Sequence, residues 1–139
     1  MIAQTDIAYL AGLFDGEGNI QYKQYMRKRR NNEKAYPTWS IRMEVSMTDE
    51  SVIRYIHQVL GVGTVSKRPP HKTSMGKKMQ YRWRCGFRDA YYVCRLFWPY
   101  SHVKLPQIQK IVDHYIENDE DKKVVNLKDY KKWKKKKNR

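Results

Sequence analysis

The chain has 139 residues, which suits one compact domain, and 40% of them are hydrophobic and 13% aromatic, enough to build a core. Lys and Arg outnumber Asp and Glu by 29 to 14, a formal charge of +15 with a pI near 9.9. Such a balance points to a polyanionic partner, most often nucleic acid, and no apolar run is long enough to span a bilayer.

Thr5 or Asp6 can cap a first helix whose apolar positions are Ile7, Leu10, Leu13 and Phe14, and the helix is expected to stop in the Gly16/Gly18 region. Ile20 to Tyr25 reads as a strand. Met26 to Ala35, with RKRRNNEK at its centre, reads as a basic turn without an apolar anchor. Thr38 to Met47 alternates strictly, with Trp39, Ile41, Met43, Val45 and Met47 on one face and Thr38, Ser40, Arg42, Glu44 and Ser46 on the other. That is a half-buried strand, paired with the first as a hairpin. Thr48 or Asp49 caps a second helix carrying Val52, Ile53, Ile56, Val59 and Leu60, ended by Gly61. Gly63 to Arg68 is a third strand, 69–78 (PPHKTSMGKK) a basic loop, and Met79 to Phe87 a fourth strand. In that strand Tyr81, Trp83 and Cys85 face one way and Gln80, Arg82 and Arg84 the other. Asp89 opens a third helix that runs through Trp98 and is broken by Pro99. Leu105 to Glu117 is a fourth helix with Pro106 in its first turn, where proline is tolerated. Residues 118–139 form a polar tail ending KKWKKKKNR. The order α-β-β-α-β-β-α-α predicts an α+β fold, helices packed on one face of an antiparallel sheet.

The other face carries polar or basic side chains: Gln21, Lys23, Tyr25, Thr38, Ser40, Arg42, Glu44, Ser66, Arg68, Gln80, Arg82 and Arg84, with Arg29 in a basic loop at the rim. An ordinary solvated sheet face is the plain alternative. The total charge and the near absence of acid favour a ribbon that lies in a DNA major groove and contacts base edges. Cys85 and Cys94 form no C-x-x-C and the four histidines show no zinc spacing with them. The expectation is two buried free thiols in a reducing compartment and no structural metal. Met1 to Gly12 lacks the basic start and cleavage site of a signal peptide, so the expected location is intracellular.

Residues 10–18 read LAGLFDGEG, an apolar helix ending in two acids set between glycines. A helix C-terminus carries partial negative charge, so an acid there needs a positive partner. Ala8, Gly12 and Gly16 recur every four residues, and small residues on that spacing let two helices approach closely. The ordinary alternative is a helix lying tight on its own sheet. Leu10, Leu13 and Phe14 already supply that contact, so a second packing partner is implied. If the partner is a second copy of the same helix, two Glu17 side chains arrive together. A divalent metal would offset their repulsion and activate a water. A calcium turn fails, because Ile20 and Met26 stand where its glycine and final glutamate belong. A plain glycine-rich turn remains the bland alternative.

LAGLFDGEG resembles the signature of the LAGLIDADG homing endonucleases. VSMTDESVIRYIHQVLGVGTV resembles the family's strand, second helix and turn into the third strand, and SHVKLPQIQKI its lysine-containing lead-in to the last helix. The resemblance covers roughly residues 5–117 and implies an αββαββα fold with a curved, four-stranded antiparallel sheet and helices on one face. It implies an endonuclease domain over 1–117 and a basic C-terminal tail over 118–139. Glu17 matches the acid that ligates the catalytic metal, with the Gly16 carbonyl as second ligand. Lys104 matches the lysine of the solvent network around the cleaved phosphate. Met47 falls where several relatives carry Gln or Asn, a departure for which Ser46 substitutes in part. Asp15 is implied to be structural at a helix interface formed with Ala8, Gly12 and Gly16. A single motif copy implies a homodimer and hence a near-palindromic double-stranded DNA target, cut with Mg2+ or Mn2+ and no organic cofactor. Two alternatives stay open on the same fold: an intron-encoded maturase, whose partner is intron RNA, and a non-cleaving DNA-binding protein.

Overall fold

The computed structural model describes residues 2–28, 34–70 and 78–118. Its elements are α1 (Gln4–Glu17), β1 (Gly18–Lys28), β2 (Ala35–Met47), α2 (Glu50–Leu60), β3 (Thr64–Arg68), β4 (Gln80–Gly86), α3 (Arg88–Phe97) and α4 (Leu105–Asn118). The expected order of helices and strands is the one found. All strand pairs are antiparallel, in the order β1-β2-β4-β3.

Alternation explains the layers. Along β2, Ile41, Met43 and Val45 are buried while Arg42, Glu44 and Ser46 between them are half-exposed. Trp83 and Cys85 continue the inward face on β4. Each helix lays an apolar stripe on that face: Ile7, Leu10, Ala11 and Phe14 from α1, Ile53, Ile56 and Leu60 from α2, Ala90, Val93, Cys94 and Phe97 from α3. Ile108, Ile111, Val112 and Ile116 of α4 complete a single core. Burying one such side chain stabilises by about 1.5–3 kcal/mol relative to exposing it. Cys85 and Cys94 are free and buried, as expected. Burial pushes the Cys85 thiol up to about 12, and the Cys94 thiol well above its ordinary value, so both act as small core hydrophobes.

The ends of α2 follow the sequence. Asp49 caps it, accepting from the Val52 N–H at 3.1 Å and the Ser51 hydroxyl at 2.6 Å, and these bonds, the hydroxyl's first, hold its carboxyl below the usual range. Gly61 closes the helix at φ 72°, its N–H donating to the His57 carbonyl. Gly63 has φ 90°, and a Cβ there would stand 2.7 Å from the Arg84 carbonyl oxygen and the Trp83 indole nitrogen, so a glycine is required.

Three expectations need correction. Neither Thr5 nor Asp6 caps α1; Ala3 does so through its carbonyl, and the Asp6 carboxylate instead accepts from the Tyr55 hydroxyl at 2.7 Å, tying α1 to α2. The third helix begins at Arg88 without a side-chain cap, after Phe87 at φ 54°. The hairpin is longer than its composition suggests. Pairing continues to Lys28 opposite Ala35, because each added pair supplies backbone hydrogen bonds that a basic composition does not forbid. Within the expected basic turn, 29–33 lies outside the described residues, as do 71–77 of the second loop and 119–139 of the tail. Among the described residues no helix is long and apolar enough to cross a membrane.

Candidate functional site

The acidic end of α1 divides its two carboxylates between two tasks. Asp15 is half-buried and turns toward its own chain, accepting from the backbone N–H of His102 at 2.8 Å and of Lys104 at 3.1 Å. The Lys104 ammonium lies 3.5 Å from the Asp15 carbonyl oxygen. The donors that lead into α4, with one lysine, thus offset both the carboxylate and the negative end of α1. Glu17, the last residue of the helix, is exposed, and so is Gly16. Gly18 is a steric need: a Cβ there would lie 2.3 Å from the Phe14 ring, whose side chain is buried. The chain therefore passes from helix directly into strand at ordinary φ.

Gly18 pairs with Val45, so Ser46 and Met47 run past the start of β1 at the end where α1 finishes. Ser46 lies on the polar face, opposite Arg82. Met47 lies on the other face, half-buried against the core. Glu17, Gly16, Lys104 and the end of β2 therefore share one end of the molecule.

The small stripe behaves unlike Gly18. A Cβ added at Gly12 or Gly16 would meet nothing within 4 Å, and neither glycine has a positive φ. Nothing within the protomer calls for glycine there, although each costs roughly 1 kcal/mol against alanine in a helix interior. Ala8 is half-buried on the same stripe. Tyr9 stands exposed beside it, its ring edge-to-face with Tyr55 at 6.1 Å.

No three His, Cys, Asp or Glu side chains gather as a metal site among the described residues. The Glu17 carboxylate and Gly16 carbonyl are hard oxygen donors at an exposed end, a set that suits Mg2+ or Mn2+. One protomer supplies a single carboxylate of it, since Asp15 is engaged elsewhere.

Register assembles the polar sheet face in cross-strand rows. Asn19, Glu44, Arg84 and Thr64 form one row across all four strands. Ser46, Arg82 and Ser66 form the next toward the α1 end, and Gln80 faces Arg68 beyond. On the other side Gln21 faces Arg42, Lys23 faces Ser40 and Tyr25 faces Thr38. Arg42 donates to Gln21 Oε1, and Arg84 Nε lies 3.5 Å from Glu44 Oε2. The sequence-predicted face residues thus occupy one side of the sheet; Arg29 lies outside the described residues. Sequence reasoning missed Asn19, Arg27, Tyr36 and Thr64, which share the face by pairing. Extending the two-residue alternation one step past the expected ends of the first two strands would have found Asn19, Arg27 and Tyr36, and carrying it back from Ser66 within the third would have found Thr64.

A model of the LAGLIDADG endonuclease family matches residues 10–103. Among solved structures, the homing endonuclease I-CvuI in complex with its target in the presence of calcium is similar at TM-score 0.63 and 22% identity, over 87% of this chain and 73% of that one. I-CvuI with the I-CreI target and magnesium gives TM-score 0.63 and 21% identity, over 79% of this chain and 65% of that one. The group I intron-encoded homing endonuclease I-CeuI, complexed with DNA, gives TM-score 0.62 and 13% identity, over 86% of this chain and 58% of that one. At these identities the likeness is one of fold, and the chain spans about two thirds of the I-CvuI length. No curated protein matches the chain by sequence.

Proposed function

This chain belongs to the LAGLIDADG endonuclease family, and from that premise we propose that it is a site-specific DNA endonuclease acting as a homodimer with a divalent metal. Two α1 helices pack along Ala8, Gly12 and Gly16, and the two Glu17 carboxylates meet at the centre of a near-palindromic target. Each polar sheet face reads one half-site in the major groove. Glu17 and the Gly16 carbonyl would hold a divalent cation, which would supply charge neutralisation and a water of lowered pKa. Lys104 brings positive charge to the solvent around the phosphate, and Asp15 keeps it there by holding the turn over 102–104. Ser46 faces the same end from the sheet, with Met47 beside it. An intron or intein origin of the gene belongs to this reading, since the insertion junction would spell the target.

The observation that supports the reading best is the pair of glycines, Gly12 and Gly16, facing open space on the exposed face of a helix that ends in an exposed acid. The test is cleavage of a randomised duplex library with Mg2+, by wild type and by E17Q. Wild type is expected to enrich near-palindromic cut sites. E17Q is expected to keep the dimer and DNA binding and to lose cleavage, because the change removes charge at nearly constant shape. Cutting by E17Q at near wild-type rate would overturn the role of Glu17. A wild type that enriches no cut site with either Mg2+ or Mn2+ would overturn the nuclease reading.

A further inference from the structure

Among the described residues of the polar sheet face, Lys23, Arg27, Arg42, Arg68, Arg82 and Arg84 are cations and Glu44 is the one acid. An acid on a surface that meets a polyanion lowers affinity for every DNA sequence alike, so its presence calls for a local reason. The register supplies one. Glu44 stands directly opposite Arg84, where Cβ atoms of an antiparallel pair are about 5 Å apart. Its Oε2 lies 3.5 Å from Arg84 Nε, and the two side chains are 22% and 34% exposed, so solvent screens the pair only in part. Arg84 Nε is buried without a hydrogen-bond partner, which leaves the carboxylate as its local compensation. The ends of the row, Asn19 and Thr64, are uncharged. This contact is made at Nε, while the Nη groups are the pair that can meet guanine O6 and N7. Arg42 is held otherwise: one of its Nη groups donates to the neutral Gln21, so a donor is used and the full charge stays.

We propose that Glu44 is a positioning residue for sequence readout. It holds Arg84 toward one base pair of each half-site and cancels the charge that would otherwise bind any phosphate. Arg84 then contributes discrimination and little general affinity, and Arg42 contributes both. The proposal rests on the DNA-recognition reading above.

The test is binding selection from a randomised duplex library, with no cleavage required, using wild type, E44Q, R84A and the double variant. Binding to an unrelated duplex is measured across salt concentrations in parallel. E44Q is expected to tighten binding to the unrelated duplex and to steepen log affinity against log salt by about one per protomer. It is expected to lower preference by about tenfold at the base pair that R84A also relaxes. The double variant should relax that position no further than R84A alone. If E44Q relaxes a position that R84A leaves intact, Glu44 reads a base itself, such as a cytosine amino group, and the proposal falls. It falls too if E44Q lowers thermal stability while profile and salt slope stay unchanged, since the pair is then structural only. A wild type that selects no sequence overturns the DNA-recognition reading itself. That outcome is distinct from a wild-type preference that E44Q leaves unchanged.

Discussion

At the scale of single residues, the three glycines of the motif fall under two different constraints, and the sequence shows them as equals. Gly12 and Gly16 face open space, whereas Gly18 stands against the Phe14 ring. Gly18→Ala should therefore overpack the core and destabilise by about 1–3 kcal/mol. Gly16→Ala should leave the fold intact or slightly firmer, by up to about 1 kcal/mol in helix propensity, as read at concentrations where the chain is monomeric. Denaturant unfolding of the two variants separates them, and equal losses would mean that the assignment of space around α1 is wrong. The acids divide in the same way. Asp15 accepts two backbone N–H bonds from the turn that carries Lys104, while Glu17 is exposed. Asp15→Asn removes the charge from both bonds and replaces one acceptor oxygen by a donor. It should cost about 1–3 kcal/mol, measured as the unfolding free energy in urea at fixed protein concentration. Unchanged stability would remove the structural role of Asp15. That an acid sits at the negative end of a helix was legible in the sequence. Its partner was not, because that partner is the backbone of residues 87 to 89 positions away.

At the scale of elements, local signals were read correctly where the neighbours in sequence decide the outcome. Asp49 and Gly61 bound α2 because cap geometry involves residues a few positions away. The strict alternation from Thr38 to Met47 gave both faces of β2 correctly. Errors arose where a distant residue decides. Asp6 is taken up by Tyr55, 49 positions on, and so does not cap α1. The packing of α4 on the hairpin was likewise invisible in the sequence. His114 Nδ1 meets the Tyr22 hydroxyl at 3.2 Å across 92 positions, and its ring is edge-to-face with Trp39 at 4.8 Å. Burial lowers the His114 pKa below the ordinary 6.5. The fold therefore favours the neutral ring, and the unfolded chain takes up the proton first. The stability this gives is full above pH 6.5 and is lost as the pH falls below it. Unfolding free energy followed from about pH 7.5 to about pH 5 should drop more steeply for wild type than for H114Q. Parallel curves would mean that His114 is not held neutral by the fold.

At the scale of the whole molecule, one protomer offers half of everything its proposed task needs: one carboxylate, one cationic sheet face and one uncovered helix stripe. The sequence carries the same expectation, since a single motif copy and a spare small stripe both ask for a partner. Gly12→Leu tests the assembly without disturbing the protomer, because the added side chain enters open space within the chain. The variant should keep its circular dichroism and unfold with a transition no longer dependent on protein concentration, since association no longer contributes to its stability. Sedimentation is expected to give a dimer for wild type and a monomer for the variant. A monomer carries one sheet face in place of two, so it neutralises about half as many phosphates. The slope of log affinity against log salt on the full target should then fall to roughly half the wild-type value. Cleavage should be lost altogether, because a lone Glu17 brings a single carboxylate to the centre. These four readouts must move together. A Gly12→Leu variant that stays dimeric would show that the protomers meet elsewhere. A monomer that still cuts both strands would show that the catalytic centre is complete within one chain.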